Sequence, residues 1–519
     1  MMNPLATMIH LQIQQRRALL GSVFAVLVWS AVSGWAWGQS AGTFRDFAGT
    51  CQGSPEVPHL YDLVGWDRSD ISWSQVEPRQ GEWKQEELEK WGKRILEMRA
   101  KGVTLLPILC YGTDWSWDRA ERTYDLGDQR VHVKPLAGGE YLVETFRLAN
   151  GVWAIADSKN EKAGDHWPLA REHQADWENY VRRTVSFFRQ APYKVEYFQI
   201  WNEAYPTSDF WGHGDLDTYM KRVHVPASKI IRELGGKVVY GGWPCCGKIE
   251  DYVAMLDRNH AWDTVDVLDI HYFPLSAFQY LNQEAKKRGH DSLGLWQTEL
   301  GFSTDPEFIG NTYPRFLSWC LAHDWSYPDR YRLFLFCGSS PDDPKAFGYA
   351  RALVSGSKLS PHGLSLQTLG EEFSTNKIEL YDGVKTRPPL KSELSEVKSS
   401  VESFNVGDKK LVIAIHLVEG NDAKIFTDWN GNLGSVHLDF GNPMIEVSLP
   451  QLKPNEVVAA TRVDLAGQRQ AMEVKMAKSG EALIEVPIRD QENSPARQWF
   501  SKSSVLTFLV EVTLRPATP

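Results

Sequence analysis

Between about residues 44 and 369, the chain alternates short apolar runs with longer amphipathic segments. Such alternation is typical of strand–helix units around a parallel sheet. Seven apolar runs predict strands at 67–73, 103–110, 195–201, 237–243, 265–272, 293–300 and 331–337. An eighth strand is expected upstream of these, within 44–64, where the pattern is weak. Eight such units predict an α/β fold, a (β/α)8 TIM barrel.

The segments between these runs carry apolar residues at helical spacing. Helices are predicted at 86–101, 177–190, 218–234, 249–259 and 361–369.

The interval 111–176, after the third strand, is too long for a simple connection and contains period-two segments at 130–135, 140–148 and 152–157. We expect an antiparallel insertion that shapes the cleft, because loops after barrel strands lie on the active face.

After residue 377 the pattern changes to period two with turn residues between the runs, which predicts an all-β sandwich domain. The predicted organisation is a signal peptide at 1–38, a catalytic barrel at 39–376 with the insertion 111–176, and a β-sandwich accessory domain at 377–519. The sandwich strands are expected at 411–417, 435–440, 444–449, 457–464, 482–488 and 504–512.

The first 38 residues have the pattern of an export signal. Arg16 and Arg17 precede an uncharged stretch that ends at the small-residue site Ala36-Trp37-Gly38. Serine and glycine dilute this stretch below the run of about 20 apolar residues that spans a bilayer. We therefore expect a secreted or periplasmic protein, with no stable membrane insertion after cleavage near Gly38.

Composition narrows the function classes. The chain has 519 residues, 42% of them hydrophobic, and a net charge of −10, which is the wrong sign for binding phosphate backbones. Nucleic acid is therefore not an expected partner. Sixteen of the 21 tryptophans lie between Trp66 and Trp325. They can fill the core or stack on sugar rings, and the sequence leaves both uses open for Trp115, Trp153, Trp211 and Trp243.

The six cysteines are too few for a disulfide framework. We expect the adjacent Cys245 and Cys246 to be two buried thiols rather than a strained ring or a metal site. The chain has no CxxC or HExxH motif, so no metal site and no cofactor are predicted for the chemistry. A calcium ion in the accessory domain, and the oligomeric state, are left open.

Candidate chemistry lies at two strand ends. The fourth predicted strand ends in Asn202-Glu203, and the seventh carries Glu299. These positions put two carboxyl groups nearly opposite each other across a barrel mouth. Glycoside cleavage needs such a pair, one to protonate the leaving oxygen and one to attack the anomeric carbon or activate water. A separation of about 5–5.5 Å predicts retention of configuration, and about 6.5–9.5 Å predicts inversion.

The flanking residues carry a family resemblance. Trp201-Asn202-Glu203 and Thr298-Glu299-Leu300-Gly301 resemble the two catalytic segments of the clan A retaining glycoside hydrolases, which are eight-fold β/α barrels. The resemblance implies that Glu203 is the acid/base, that Glu299 is the nucleophile, and that Asn202 binds the sugar hydroxyl beside the anomeric carbon.

Three further segments support the resemblance. The segment 68–78, beginning at Arg68, is similar to the second strand of family 39 and implies that Arg68 steadies the nucleophile. Asp269-Ile270-His271-Tyr272 resembles a strand-six segment whose His and Tyr approach the nucleophile and the sugar. The segment from Tyr111 to Trp115 resembles the aromatic end of strand three. Tyr111 and Trp115 are accordingly candidate substrate-binding residues, with His271 and Tyr272. Trp243 is a further candidate because its ring can stack on a sugar.

One position departs from the clan pattern. Clan members commonly carry a tryptophan at the end of strand eight, and this chain reads Leu335-Phe336-Cys337 there. Either Phe336 or a tryptophan from a loop takes that place. The sequence predicts a secreted retaining glycoside hydrolase acting on plant or algal-type oligo- or polysaccharides. The alternative is a secreted carbohydrate-binding barrel without catalysis; a metal-dependent hydrolase is disfavoured, because only His271 lies at a strand end.

Overall fold

In the computed structural model the described residues are 43–126, 128–164, 166–301, 303–323, 330–346, 348–375, 377–387, 397–419, 444–498 and 505–516. The predicted signal peptide and the predicted strand 435–440 lie outside these ranges. Within them, no helix is both long enough and apolar enough to cross a bilayer.

Eight parallel strands close into a barrel, since the first pairs with both the second and the eighth. The predicted fold class is thereby confirmed. Large side chains such as Trp66, Tyr197, Trp296 and Phe334 fill the interior as one buried cluster, so the barrel is a packed core rather than a pore. The strands are Ala48–Cys51, Trp66–Ser72, Thr104–Cys110, Tyr197–Ile200, Lys237–Val239, Val267–His271, Gly294–Leu300 and Tyr331–Leu335.

Helices cover the outside of the barrel. The predicted helix 218–234 is observed as three consecutive pieces: α-helix Leu216–Tyr219, a π-helical stretch Met220–His224 and α-helix Val225–Glu233. The other long helices are Gln85–Ala100, Gln174–Arg189, Ile249–Arg258, Leu275–Lys287, Phe308–Leu321 and Pro361–Glu372, and shorter ones cover Phe44–Phe47, Leu60–Leu63 and Trp73–Val76.

The insertion after the third barrel strand is a four-stranded antiparallel sheet with its own small core around Val133, Tyr141 and Trp167. Three of its strands match the predicted segments, and a fourth at its start was not predicted. The strands, in spatial order, are Arg122–Leu126, Gln129–Pro135, Glu140–Ala149 and Val152–Lys162.

The C-terminal region forms two antiparallel sheets with a shared apolar core, which confirms the all-β prediction. The strand Val397–Val406 was missed, because its apolar residues do not alternate regularly along the sequence. In spatial order the larger sheet contains Ile378–Leu380, Val397–Val406, Lys410–Glu419, Leu506–Leu514, Val457–Val463 and Arg469–Met472, and the smaller contains Lys385–Arg387, Met444–Leu449, Ala482–Pro487 and Val474–Met476.

The helix Phe308–Leu321 joins the two regions. It lies between the barrel and the strands Val397–Val406 and Leu506–Leu514, and it is buried along almost its whole length. A Cβ at Gly310 would lie 2.4 Å from the Leu465 side chain, so this leucine packs directly against the helix backbone at the glycine. The sandwich therefore covers a barrel helix that would otherwise expose an apolar face.

Candidate active site

Glu299 lies in the seventh barrel strand, at the edge where barrel strands end, and is 8% exposed. Arg68 Nη1 donates to its Oε1 at 2.6 Å, and the Tyr272 hydroxyl donates to its Oε2 at 2.7 Å. Both carboxylate oxygens are thus fixed by charged or polar donors. Such fixation orients a carboxylate for attack in one direction.

Arg68 links three strands. Its Nε donates to Gln199 Oε1 at 2.7 Å, and its Nη2 donates to Asn202 Oδ1 at 2.6 Å. The guanidinium is 3% exposed and all of its forked donors face polar groups of the site. Because the Asn202 carbonyl oxygen is taken by Arg68, its amide N–H groups are the ones left to donate to a ligand.

Glu203 follows the fourth strand in left-handed backbone conformation, with φ of 43°. Its N–H donates to Gly241 O at 2.6 Å, which ties this turn to the next strand. Tyr272 also has positive φ, at 59°. Non-glycine residues rarely adopt this left-handed conformation, and the few that do are concentrated at functional sites.

The two carboxylates converge. Oxygens of Glu203 and Glu299 and a ring nitrogen of His271 all lie within 4.8 Å of one another. A separation in this range matches the shorter of the two glycosidase geometries, in which one carboxylate reaches the anomeric carbon directly.

His271 is fully buried beside the pair. Its Nδ1 lies 2.8 Å from Glu203 Oε1, and its Nε2 lies 3.0 Å from Thr298 Oγ1. Thr298 donates its own hydroxyl to Asp269 Oδ2 at 2.5 Å, so its oxygen is left to accept from His271 Nε2. His271 therefore keeps a proton on Nε2, and the proton on the other side is shared between Nδ1 and Glu203.

Charge sets the pKa of His271. Burial lowers it, but nearby Glu299, the contacts with Asp269 and Glu203, at 3.6 and 2.8 Å from its ring nitrogens, and the charge of Asp269 outweigh burial and raise the pKa to about 9. The same reasoning applies to Glu299: burial raises its pKa, whereas His271, Arg68 and the Tyr272 hydroxyl bring it below the usual range. Glu299 is thus held ionised and His271 protonated near neutral pH.

Gly242, just beyond the fifth barrel strand, makes room for this histidine. A Cβ there would lie 2.1 Å from His271 Nε2, and its φ of 71° also favours glycine. No role was predicted for this residue. The Gly-Gly-Trp at the end of a strand was the signal that could have found it, since a glycine there often marks a close approach.

A cleft of about 560 Å³ opens above the carboxylates. The lining residues in the described part of the chain include no tryptophan. Tyr111 lines one wall with its ring centroid 4.2 Å from that of His166 and stacked on Phe210 at 5.9 Å. Phe336, just beyond the eighth strand, also lines the cleft.

The structure brings together most of the predicted site residues, namely Arg68, Asn202, Glu203, His271, Tyr272, Glu299 and Tyr111. Two candidates lie elsewhere. Trp115 packs edge-on against Trp73, at 5.1 Å between ring centroids. Trp243 is completely buried and stacked on Tyr252 at 5.0 Å. Neither ring lines the cleft, because each packs against other aromatic side chains of the core.

The expectation for Cys245 and Cys246 was wrong: both are exposed free thiols that line the cleft. They lie beyond the last residue of the fifth strand, Val239, on the turn 244–247, where a loop at the cleft leaves their side chains uncovered.

Several cleft or supporting residues were given no role from sequence. Asp70 and His166 line the cleft, and Asp269 and Thr298 hold His271 from behind. Asp70 and Thr298 could have been found from spacing, since each lies near a predicted site residue on its own strand. His166 carries no such signal, because it reaches the cleft from the insertion.

Glu203, His271 and Glu299 are close enough to hold a cation. However, the Arg68 guanidinium already neutralises Glu299 at 2.6 Å, and a protonated imidazole has no free lone pair for a metal. The donor set therefore fits proton transfer better than metal binding.

Similar folds occur among solved glycoside hydrolases. One is a family 39 glycoside hydrolase from Bacteroides cellulosilyticus WH2, with a TM-score of 0.54, 12% identity, and 91% of this chain and 81% of that chain covered. Another is a monomeric β-xylosidase from Caulobacter crescentus CB15, with a TM-score of 0.52, 11% identity, and 92% and 98% covered.

No family model matches the chain, and no curated protein matches it. At these low identities, the structural likeness establishes a shared fold. This likeness confirms the predicted resemblance to family 39 and its clan at the level of the fold. The protein is thus a barrel whose site holds two convergent carboxylates.

Proposed function

We propose that this protein is an exported, retaining glycoside hydrolase that cleaves O-glycosidic bonds of plant or algal-type oligo- or polysaccharides. One observation carries the proposal: oxygens of Glu203 and Glu299 within 4.8 Å of each other at the base of a cleft. The enzymes of similar fold support it as relatives in architecture. The export pattern of the first 38 residues supports secretion or a periplasmic location.

In the first step, Glu299 attacks the anomeric carbon and forms a covalent glycosyl ester. Arg68 and Tyr272 hold it ionised and correctly aimed. The Glu203 carboxyl transfers its proton to the departing glycosidic oxygen, so the aglycone leaves as a neutral alcohol.

In the second step, Glu203 is a carboxylate and takes a proton from an incoming water molecule. That water attacks the anomeric carbon, the ester bond to Glu299 breaks, and the sugar leaves with its configuration retained. Glu203 loses a proton in the first half-reaction and gains one in the second. The His271 imidazole lies 2.8 Å from Glu203 and exchanges a proton with it as this happens. Neither step needs an organic cofactor.

The competing function is a carbohydrate-binding barrel without catalysis. It explains the cleft but gives no reason for two fixed carboxylates to converge, or for a protonated histidine to lie beside them. A binding protein would not form a covalent adduct with an activated fluorosugar.

The test combines labelling and substitution. A 2-deoxy-2-fluoroglycosyl fluoride should label Glu299, as located by peptide mass spectrometry. Glu299→Gln should reduce kcat on an aryl glycoside by on the order of 10⁴-fold. Glu196→Gln, an exposed glutamate before the same strand that leads to Glu203, serves as the control and should retain turnover.

A second variant assigns the acid/base. Glu203→Ala should keep part of its activity on aryl glycosides whose leaving group needs no protonation, and azide should accelerate it by giving the glycosyl azide. Wild-type turnover in Glu299→Gln or in Glu203→Ala would reject these assignments.

A further inference from the structure

Cys245 and Cys246 form an exposed dithiol on the cleft wall. They occupy the two central positions of a turn closed by a hydrogen bond from Gly247 N to Pro244 O at 3.0 Å. Both side chains line the cleft that contains Glu203 and Glu299. Both cysteines face one cavity, and a disulfide between neighbouring residues closes a small strained ring, the kind that is readily reduced again.

The turn is anchored from below. Trp243 is completely buried, and its indole Nε1 donates to Lys248 O at 3.1 Å across the turn. A Cβ on Gly247 would lie 2.9 Å from that indole nitrogen, so the turn packs directly on the ring. The core position of Trp243 thus fixes where the thiols stand.

The pair stands on the acid/base side of the cleft. Although both residues are exposed, their thiol groups are partly desolvated, which raises the pKa of both, and the nearby Glu203 carboxylate raises it further. The Thr207 hydroxyl lies 3.8 Å from Cys246 Sγ and donates to it, which lowers the pKa of this thiol without outweighing desolvation. Both cysteines therefore remain protonated at neutral pH.

The other four cysteines are all buried, namely Cys51, Cys110, Cys320 and Cys337. Only the exposed pair is open to a protein oxidant after folding, and exported proteins meet such oxidants.

We propose that Cys245 and Cys246 are a redox-convertible pair that closes into a vicinal disulfide in the export compartment and builds the leaving-group wall of the cleft. In this exchange the two S–H bonds break and one S–S bond forms. The disulfide of a protein dithiol–disulfide oxidant accepts the two electrons and two protons and becomes a dithiol.

The catalytic consequence rests on the proposed function. Glu203 protonates the leaving group, so a wall beside it contacts the aglycone rather than the sugar that reacts with Glu299. A closed ring is a rigid, apolar surface, whereas two thiols rotate independently. We expect the closed form to bind an extended aglycone better, because less side-chain freedom is lost on binding.

Mass spectrometry tests the covalent state without reference to activity. Protein exported to an oxidising compartment is alkylated with iodoacetamide, unfolded without reductant and digested. The peptide carrying Cys245 and Cys246 should be two hydrogens lighter than the dithiol and unlabelled, and it should take two alkyl groups after reduction. A peptide that is fully alkylated without reduction would overturn the proposal.

Kinetics test the consequence. Reduction by dithiothreitol should lower kcat/KM for an oligosaccharide on the order of ten-fold, while the labelling rate with a fluorosugar fluoride, which has no aglycone, changes less than about two-fold. In the double variant Cys245→Ser, Cys246→Ser, dithiothreitol should have no effect. An equal effect in wild type and variant would reject this role; absence of any glycoside turnover would reject the proposed function and leave the mass result standing.

Discussion

His271 Nδ1 lies 2.8 Å from Glu203 Oε1 and 3.7 Å from Glu299 Oε1, so a single buried imidazole serves both carboxylates. It exchanges a proton with Glu203 and places positive charge beside Glu299. The two carboxylates need opposite conditions, one able to carry a proton and one held ionised. The proton shared between His271 and Glu203 meets both needs in turn: on the imidazole it adds positive charge beside Glu299, and on Glu203 it is ready for the leaving group.

Replacing this histidine should change the pH dependence of catalysis. Without the imidazolium, Glu299 loses one of the charges that lower its pKa. In His271→Gln we therefore expect the acidic limb of the kcat/KM profile to move to higher pH by about one unit. A pH series with an aryl glycoside measures it, and an unchanged acidic limb would contradict the assigned electrostatic role.

The same group predicts a pH-dependent stability. The folded-state pKa of His271, about 9, lies above the ordinary histidine value of 6.5 expected in the unfolded chain. Its stabilisation is fully present below about pH 6.5 and is lost as pH rises through 9. Urea unfolding at pH 6 and pH 9.5 should show that wild type loses about 3 kcal/mol more than His271→Gln over this interval. Parallel losses in the two proteins would exclude this linkage.

Thr298 tests how the histidine is held. Its hydroxyl bridges His271 Nε2 and Asp269 Oδ2. Thr298→Val keeps the volume but leaves both buried partners without this hydrogen bond, which should cost about 1–3 kcal/mol in unfolding free energy and shift the pH profile. Thr298→Ser retains the hydroxyl and should restore the wild-type pH profile. A Val variant with a wild-type profile would show that the bridge does not act on His271.

Tyr272 tests the fixation of the nucleophile. Its hydroxyl donates to Glu299 Oε2 at 2.7 Å, a bond that favours the ionised carboxylate. Tyr272→Phe should lower kcat/KM by about ten- to hundred-fold and raise the pKa of Glu299, seen again as an upward move of the acidic limb. If KM rises while kcat and the pH profile stay constant, Tyr272 binds sugar without acting on Glu299.

Sequence patterns predicted the barrel strands closely, because strands buried on both faces form continuous apolar runs bounded by polar turns. The third strand was expected at 103–110 and is observed at Thr104–Cys110. The first strand, Ala48–Cys51, gave a weak signal because it has only four residues. Val397–Val406 was missed because serines interrupt its apolar face.

For the candidate site, residues with charge at strand ends were predictable and residues from loops were not. Glu203 and Glu299 follow from strand order and local flanks, and Arg68 follows from the family resemblance of its segment. His166 and the thiol pair reach the cleft through loop paths, and no periodic pattern describes those paths. The predictions for aromatic residues failed for a related reason. The sequence around Trp243 looks the same whether its ring stacks on a sugar or, as observed, on Tyr252.

The contact between the barrel and the sandwich gives the last prediction. Gly310 lies within the buried helix Phe308–Leu321, and a Cβ on it would meet the Leu465 side chain at 2.4 Å. Gly310→Ala should therefore destabilise by about 1–3 kcal/mol, since overpacking outweighs the gain in helix propensity. Gly370 lies inside the helix Pro361–Glu372, and a Cβ on it would meet no atom from outside that helix within 4 Å, so Gly370→Ala should stabilise by about 0.5–1 kcal/mol. Urea unfolding of the two variants compares the same chemical change in two surroundings. Opposite signs are expected; a stabilised Gly310→Ala would mean that the sandwich does not press on this helix.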